Sequence, residues 1–261
     1  MSNRRVGYFQ FPLCLLAFGS DYKDRLQHIV SYCLCEHARW LSRKLNRASS
    51  DTVSQTELCK AATFLHVNMS SHVATIERWR LASWFIEGRE ERYGKDALVR
   101  IATNLLWEAH SNAGLTYREF SILCAINSVI GKRHCKPMRI TESSIRVRAG
   151  GYKSWTVLNR ELAQRPSLAQ LLTANQVRYT LEKLHARKFF ARARVGAKTV
   201  KYMVGVSDTE LRALLLQTET RLSRFKIERA QKDQELMTMI RLANQTASRQ
   251  IHSNRNDSMQ H

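Results

Sequence analysis

The sequence predicts a mainly α-helical protein, with a helical N-terminal domain, a second domain that ends in a β-hairpin, and then a long C-terminal helix. Glycine and proline, which break helices, number only 10 and 3 among 261 residues. Four capping boxes, each a Ser or Thr followed three residues later by Glu or Gln, mark helix starts. Near residue 190 the apolar spacing changes from the period of a helix to the period of a strand, which predicts the hairpin.

Helix starts and polar breaks predict the domain boundaries. Apolar residues recur at helical spacing over residues 21–46, 57–87 and 96–112, and Gly114 suits the end of a helix. We therefore expect a helical domain over residues 1–114, a second domain over 115–206 and a C-terminal helix over 207–245. The polar residues 246–261 are expected to be disordered. The capping boxes are Ser54/Glu57, Thr116/Glu119, Thr173/Gln176 and Ser207/Glu210.

Positive charge is concentrated in the second domain. The chain has 42 Lys and Arg against 22 Asp and Glu, a net charge of +20, and residues 115–206 contain 18 of the basic and 4 of the acidic side chains. The charge lies among well-patterned apolar residues rather than in a polar tail, so it belongs to a folded surface. Such a surface needs an anionic partner, which DNA, RNA or an anionic membrane could supply.

The second domain is predicted to contain a helix over residues 116–130, a short strand over 138–140 and a helix over 141–149. A further helix over 154–164 would lie in the stretch before the helix that begins at Thr173. In that last helix Val177, Leu181 and Leu184 recur on one side, so the other side must face solvent. A helix fits the major groove, where Asn can pair with adenine, Arg with guanine and Glu with cytosine. The predicted base-reading residues are Asn175, Arg178, Tyr179 and Glu182.

The hairpin is predicted over residues 191–206, with its turn at Gly196-Ala197. Arg192 and Arg194 alternate with small apolar residues on the first strand, as a half-buried strand requires. Basic residues in and around the hairpin are expected to neutralise phosphates, a role that supplies affinity without sequence preference. They are Lys183, Arg187, Lys188, Arg192, Arg194, Lys198 and Lys201.

The run LTANQVRYTLEKL, residues 172–184, together with the basic hairpin resembles the winged-helix DNA-binding superfamily, and in particular the modules of plasmid and phage replication initiators. The resemblance covers about a third of the chain. It implies a winged helix-turn-helix domain with the hairpin as its wing. Residues 152–172 depart from the family pattern, which usually has a short turn there.

The resemblance also implies a function. The chain is expected to bind double-stranded DNA as a replication initiator of a plasmid, phage or satellite element, with the host replication machinery as a partner. The alternative is a transcription regulator that binds a promoter as a dimer, and the sequence does not separate the two. One winged helix reads few base pairs, so we expect a homodimer in either case.

A second helix-turn-helix is predicted at residues 57–84. This stretch has paired alanines, a valine in the turn and Ile76 in the following helix, although His66 stands where a small turn residue is usual. The alternative is plain helix packing or dimerisation. If the segment contacts DNA, the residues that face the groove are Ser70, Ser71, His72 and Thr75.

The sequence favours a binding protein over an enzyme. Gly131-Lys132 lacks the upstream glycine of a phosphate-binding loop, and four acidic residues in the basic domain cannot easily form a two-metal nuclease site. We therefore expect no cofactor and no metal site. A zinc site would have to use side chains whose spacing fits neither a finger nor a ribbon. They are His28, Cys33, Cys35 and His37.

The expected location is the cytoplasm, without membrane contact. The six cysteines show no disulfide framework and are typical of reduced thiols. Residues 11–18 follow Arg4 and Arg5 like the start of a signal peptide, but the run is short and contains Pro12. We expect instead an extended segment over residues 8–16 that packs on the fold. No stretch approaches the length needed to span a bilayer.

Overall fold

The computed structural model describes residues 8–44, 53–65, 67, 69, 71–110, 114–130, 136–168, 170–195 and 199–257. Within them the chain is mainly helical, with two small antiparallel sheets and a long C-terminal helix. This confirms the prediction of a mainly α-helical protein that ends in a long helix. The strands are β1 (Tyr8–Pro12), β2 (Leu98–Ala102), β3 (Met138–Arg139), β4 (Ala191–Val195) and β5 (Thr199–Met203). The helices are α1 (Tyr22–Lys44), α2 (Gln55–Leu65), α3 (His72–Tyr93), α4 (Thr103–His110), α5 (Tyr117–Ile130), α6 (Glu142–Ala149), α7 (Trp155–Gln164), α8 (Ala174–Ala186) and α9 (Asp208–Asp257).

The N-terminal segment forms a strand followed by a fully buried 3-10 helix, Leu13–Ala17. Strand β1 pairs antiparallel with β2, with Phe9 opposite Ile101. The prediction of a helix throughout residues 96–112 is therefore wrong for β2, and within the described part of that range, residues 96–110, only α4 is helical. In β2 the buried Val99 and Ile101 alternate with more exposed residues, which is the period of a strand, and β1 provides the pairing that a strand needs.

One hydrophobic core crosses the boundary expected at residue 114, and residues up to Asp208 form a single compact unit. Helix α5 explains this, because every residue from Glu119 to Ile126 is buried and such a helix needs partners on all sides. Phe120 stacks on Phe11 with ring centroids 6.4 Å apart, and Tyr117 Oη donates to Leu16 O at 2.9 Å. The expected boundary therefore does not separate two packed units.

The stretch that departs from the family pattern contains the predicted extra helix, α7. Ser154 begins it by accepting a hydrogen bond from Val157 N. Its buried Glu161 lies 3.9 Å from Arg89 of α3, and the Arg89 guanidinium is 4.8 Å from the Tyr152 ring centroid. Each of these two buried charges compensates the other, so the pair joins α7 to α3.

The second sheet has the strand order β3-β5-β4, and helices α5, α6 and α8 pack together beside it. Both neighbours of the central strand β5 are antiparallel to it. Along the chain, the helices and strands of this region follow in the order α5, β3, α6, α7, α8, β4 and β5. The predicted turn at Gly196-Ala197 lies outside the described residues.

Helix α9 begins at Asp208, directly after Ser207, the first residue of the Ser207/Glu210 capping box. The sequence places the end of this helix near residue 245 and disorder from residue 246, whereas the helix continues to Asp257. Residues 246–257 contain no glycine or proline, so nothing in them ends a helix. Several large apolar side chains along α9 are exposed, among them Leu222, Phe225 and Met239.

The cysteines in the described part of the chain are free thiols, four of them buried and Cys59 exposed. Burial raises the pKa of the Cys33 and Cys124 thiols well above its ordinary value, so both remain protonated. Among the described helices, none combines the length and apolar character that crossing a bilayer requires.

Candidate nucleic-acid interface

Helix α8 has the two faces that the spacing predicts. Thr173 Oγ1 accepts a hydrogen bond from Gln176 N, and Gln176 Oε1 accepts one from Thr173 N at 2.9 Å, so the capping box sets the helix start. Val177, Leu181 and Leu184 are buried against the core. The opposite side of the helix is left to solvent.

All four predicted base-reading residues lie on that exposed side: Asn175, Arg178, Tyr179 and Glu182. Tyr179 is 69% exposed. Arg178 Nη2 lies 3.4 Å from Glu142 Oε2 at the start of α6, and both side chains are more than half exposed. Exposed pairs of this kind contribute about 1 kcal/mol or less, so another partner can replace Glu142 beside Arg178 at little cost.

Two of the predicted phosphate-binding residues also have a structural role. Lys183 Nζ lies 2.9 Å from Glu119 Oε1, and Arg187 Nη1 lies 3.3 Å from the same oxygen. Arg187 also donates to Gly114 O at 3.0 Å. The Glu119 side chain is 3% exposed, so a carboxylate without these cations would be costly. The pairs join the C-terminal end of α8 to the start of α5, which the sequence does not reveal.

The environment of Glu119 favours its charged form. Burial alone raises the pKa of this carboxyl, but hydrogen bonds from Thr116 and Lys183 outweigh burial and hold the pKa below its ordinary value. Thr116 N and Thr116 Oγ1 both donate to Glu119 Oε2, at 2.8 and 3.0 Å. The predicted Thr116/Glu119 capping box therefore also anchors α8.

The basic residues of the second sheet lie on both of its faces. Directly paired residues of antiparallel strands share a face. Arg192 is paired with Tyr202 and Arg194 with Val200, so the two arginines lie on one face. Lys201 is paired with Arg139 of β3 and with Ala193 of β4, so it lies on the other face. Arg139, which the sequence analysis did not select, therefore shares a face with Lys201. Lys198 lies outside the described residues.

Lys188 is exposed and is the only described non-glycine residue with a positive φ, at 59°. It follows α8, where Lys188 N donates to His185 O and Phe189 N donates to Leu184 O. These bonds end the helix in the way that glycine usually does. The side chain is thereby placed at the junction of α8 and β4.

Other basic residues of the region hold the unit together. Arg146 Nε donates to Leu172 O at 2.6 Å, Arg148 Nη1 donates to Ser128 Oγ at 2.9 Å, and Lys153 Nζ donates to Gly94 O at 2.6 Å. Burial lowers the pKa of the Arg148 guanidinium, which remains charged at neutral pH. The net charge of residues 115–206 therefore overstates the charge that this surface offers to a partner.

The second predicted helix-turn-helix does consist of two helices, α2 and α3, but one of its candidate residues, Thr75, is not placed for contact with DNA. Thr75 is buried and its hydroxyl donates to Ser71 O at 2.7 Å, so the prediction that it faces a groove is wrong. Ser71 caps α3 by accepting from Ala74 N. His72 is half-buried, and Ser70 and His66 lie outside the described residues.

No protein-family profile, no curated protein and no solved structure matches this chain. The candidate interface consists of a helix with an exposed polar face and a sheet with basic residues on both faces.

Proposed function

We propose that this protein binds double-stranded DNA, with α8 in the major groove and the β3-β5-β4 sheet against the backbone, as a winged helix-turn-helix. The observation that carries the proposal is the division of α8: three apolar residues are buried, and the four polar residues able to contact base edges are exposed. The order of helices and strands from α5 to β5 and the sheet order β3-β5-β4 support the same assignment.

In the proposed complex, the side chains of α8 and the sheet have different contacts with DNA. Arg178 leaves Glu142 and pairs through its planar guanidinium with O6 and N7 of guanine, which a lysine ammonium imitates poorly. Asn175 and Glu182 pair with adenine and cytosine. Arg192 and Arg194 neutralise phosphates from one face of the sheet, and Arg139 and Lys201 do so from the other. Glu119 keeps α8 in place through Lys183 and Arg187.

We propose further that the protein is a replication initiator of a plasmid, phage or satellite element. The support is the resemblance of residues 172–184 and the hairpin to initiator modules. In this proposal the protein is a cytoplasmic binding protein rather than an enzyme, it uses no cofactor, and it recruits host replication proteins. It binds as a homodimer, for which the exposed apolar side chains of α9 provide contact area.

Fluorescence titrations of the full-length protein on duplexes from DNA flanking its gene test the binding proposal. If six or more phosphates are contacted, the logarithm of the association constant falls against the logarithm of salt concentration with a slope of about −5 or steeper. A slope near zero would rule out binding through phosphates. Sedimentation of the protein alone and on a full site shows whether two copies bind.

Footprinting on the same flanking DNA separates the two roles. Iterated protected sites near an origin support initiation. A single palindrome over a promoter supports transcription regulation instead, and leaves the DNA-binding proposal intact.

A further inference from the structure

A cleft of about 320 Å³ opens beside α8, on the side of α1 and α5. Its lining includes three aromatic rings, Tyr22, Tyr117 and Tyr179, and two cations, Arg118 and Lys183. The volume is within the range of sites that hold a small molecule. None of the functions described above uses this cleft, although it shares Tyr179 with the exposed face of α8.

Two of the tyrosine rings form a stacking platform. Tyr22 and Tyr117 have ring centroids 4.7 Å apart and planes inclined by only 14°. Tyr117 is held in place by the hydrogen bond from its hydroxyl to Leu16 O at 2.9 Å, and the Arg25 guanidinium lies 5.9 Å from the Tyr22 ring centroid. Tyr22 is nevertheless 53% exposed. Tyr22 is thus stacked against Tyr117, half exposed and part of the cleft lining.

The charge around the platform suits an aromatic anion. Arg118 is exposed at the start of α5, and Lys183 approaches from α8 with its side chain 49% exposed. The one carboxylate in the lining, Glu119, is 3% exposed and accepts hydrogen bonds or ion pairs from Thr116, Lys183 and Arg187. The accessible surface of the cleft therefore combines a flat ring with positive charge.

We propose that this cleft binds one unpaired nucleotide of a DNA strand, with its base stacked on Tyr22 and its phosphate near Arg118 and Lys183. This inference rests on the proposed DNA binding by α8. A paired base inside a duplex has both of its faces covered by its neighbours, so only a base that has left the stack can lie against Tyr22. The ligand is assigned to a DNA strand because Tyr179 connects the cleft to the face of α8 that reads the duplex.

The test uses the full-length protein and two kinds of labelled duplex: a fully paired site, and the same site with one extra unpaired thymidine that is moved along the sequence one position at a time. Stacking of one base strengthens binding by roughly 5- to 150-fold, so at least one bulged duplex should bind more tightly than the paired one by this factor. Tyr22→Ala should remove the gain without changing affinity for the paired duplex. Tyr22→Phe should retain the gain, because the ring remains.

Tyr8→Ala is the matched control. Tyr8 is 54% exposed and has an arginine, Arg100, 4.5 Å from its ring centroid, but it lies on β1 and does not line the cleft. It should leave the gain unchanged, and melting curves of all three variants report whether they fold. Thymidine monophosphate should compete with the bulged duplex in the wild type and not in Tyr22→Ala.

The possible failures are distinguishable. If the wild type binds neither duplex, the proposed function fails. If it binds paired and bulged duplexes alike, or if Tyr22→Ala keeps the gain, the cleft proposal alone is overturned. Tight binding of the free mononucleotide without any gain on bulged duplexes would overturn the assignment to a DNA strand.

Discussion

The two ends of α8 carry basic side chains with different roles, and the difference lies in the carboxylates that face them. Toward the N-terminal end, Arg178 meets Glu142, and both side chains are more than half exposed. At the C-terminal end, Lys183 and Arg187 meet Glu119, which is 3% exposed. An exposed carboxylate is solvated and can be exchanged for another anion, whereas a buried one needs its cations. The pair at the first end can therefore be exchanged for other contacts, whereas the carboxylate at the second end stabilises the fold.

Removal of the buried charge should have the largest effect. Glu119→Gln loses charge-assisted hydrogen bonds with Lys183 and Arg187, so we expect the free energy of unfolding to fall by about 2 to 3 kcal/mol. Urea titration of the wild type and the variant measures this difference in the free energy of unfolding. The matched control is Glu182→Gln on the exposed side of α8, which should change stability by a few tenths of a kcal/mol. Equal effects of the two substitutions would mean that burial does not distinguish the two ends.

The stabilisation by Glu119 should also depend on pH. The pKa of Glu119 is lowered in the folded protein, so its contribution is fully present above the unfolded pKa of about 4.3 and is lost as pH falls through the lower folded value. The difference in unfolding free energy between the wild type and Glu119→Gln should be constant near neutral pH and shrink below about pH 4. A difference that grows on acidification would contradict the lowered pKa.

Substitution of Arg178 should have the largest effect on binding. Arg178→Ala is expected to weaken binding to the cognate site by about 1 to 3 kcal/mol, with much less change on random DNA, because the lost contact is to a base edge. Melting temperature should change little, since the Glu142 pair is exposed. Selection of binding sites from randomised DNA measures the preference. A mutant that prefers the wild-type base at every position would show that Arg178 does not read bases.

The basic residues of the sheet should contribute to affinity for DNA rather than to preference for a particular DNA sequence. Arg192→Ala combined with Arg194→Ala should weaken cognate and random DNA about equally, roughly tenfold near physiological salt, and make the salt slope shallower by about 2. Arg139→Ala combined with Lys201→Ala tests the opposite face in the same way. Loss confined to one DNA sequence, or to one face of the sheet, would require a different placement of the hairpin.

The smallest expected effect comes from the exposed partner of Arg178. Glu142→Gln should leave stability unchanged within a few tenths of a kcal/mol and strengthen DNA binding slightly, because DNA no longer displaces a carboxylate and no longer meets its negative charge. Titrations at low salt, where screening is weakest, reveal the gain best. A large loss of binding on this substitution would mean that Glu142 orients Arg178 for reading.

The elements that the sequence predicts correctly are those in which local signals agree. The Thr173/Gln176 box and the buried stripe of α8 are set by a few neighbouring residues, and the helix forms as its period requires. Strand β2 was missed because a five-residue strand depends on β1, which lies far away in sequence. The ion pairs of Lys183 and Arg187 with Glu119 were missed for the same reason, since Glu119 is more than 60 residues away in the chain.

The sequence by itself determined the helical class, the helix starts at its capping boxes, the exposed side of α8 and the concentration of charge in residues 115–206, because each depends on residue type and short-range spacing. Only the tertiary structure decided which charges face solvent. Burial of Glu119 and Thr75, the pairing of β1 with β2 and the shared core around α5 all bring together residues distant in the chain. Desolvation acts on that assembled environment, and a side chain's role follows from it rather than from its own chemistry alone.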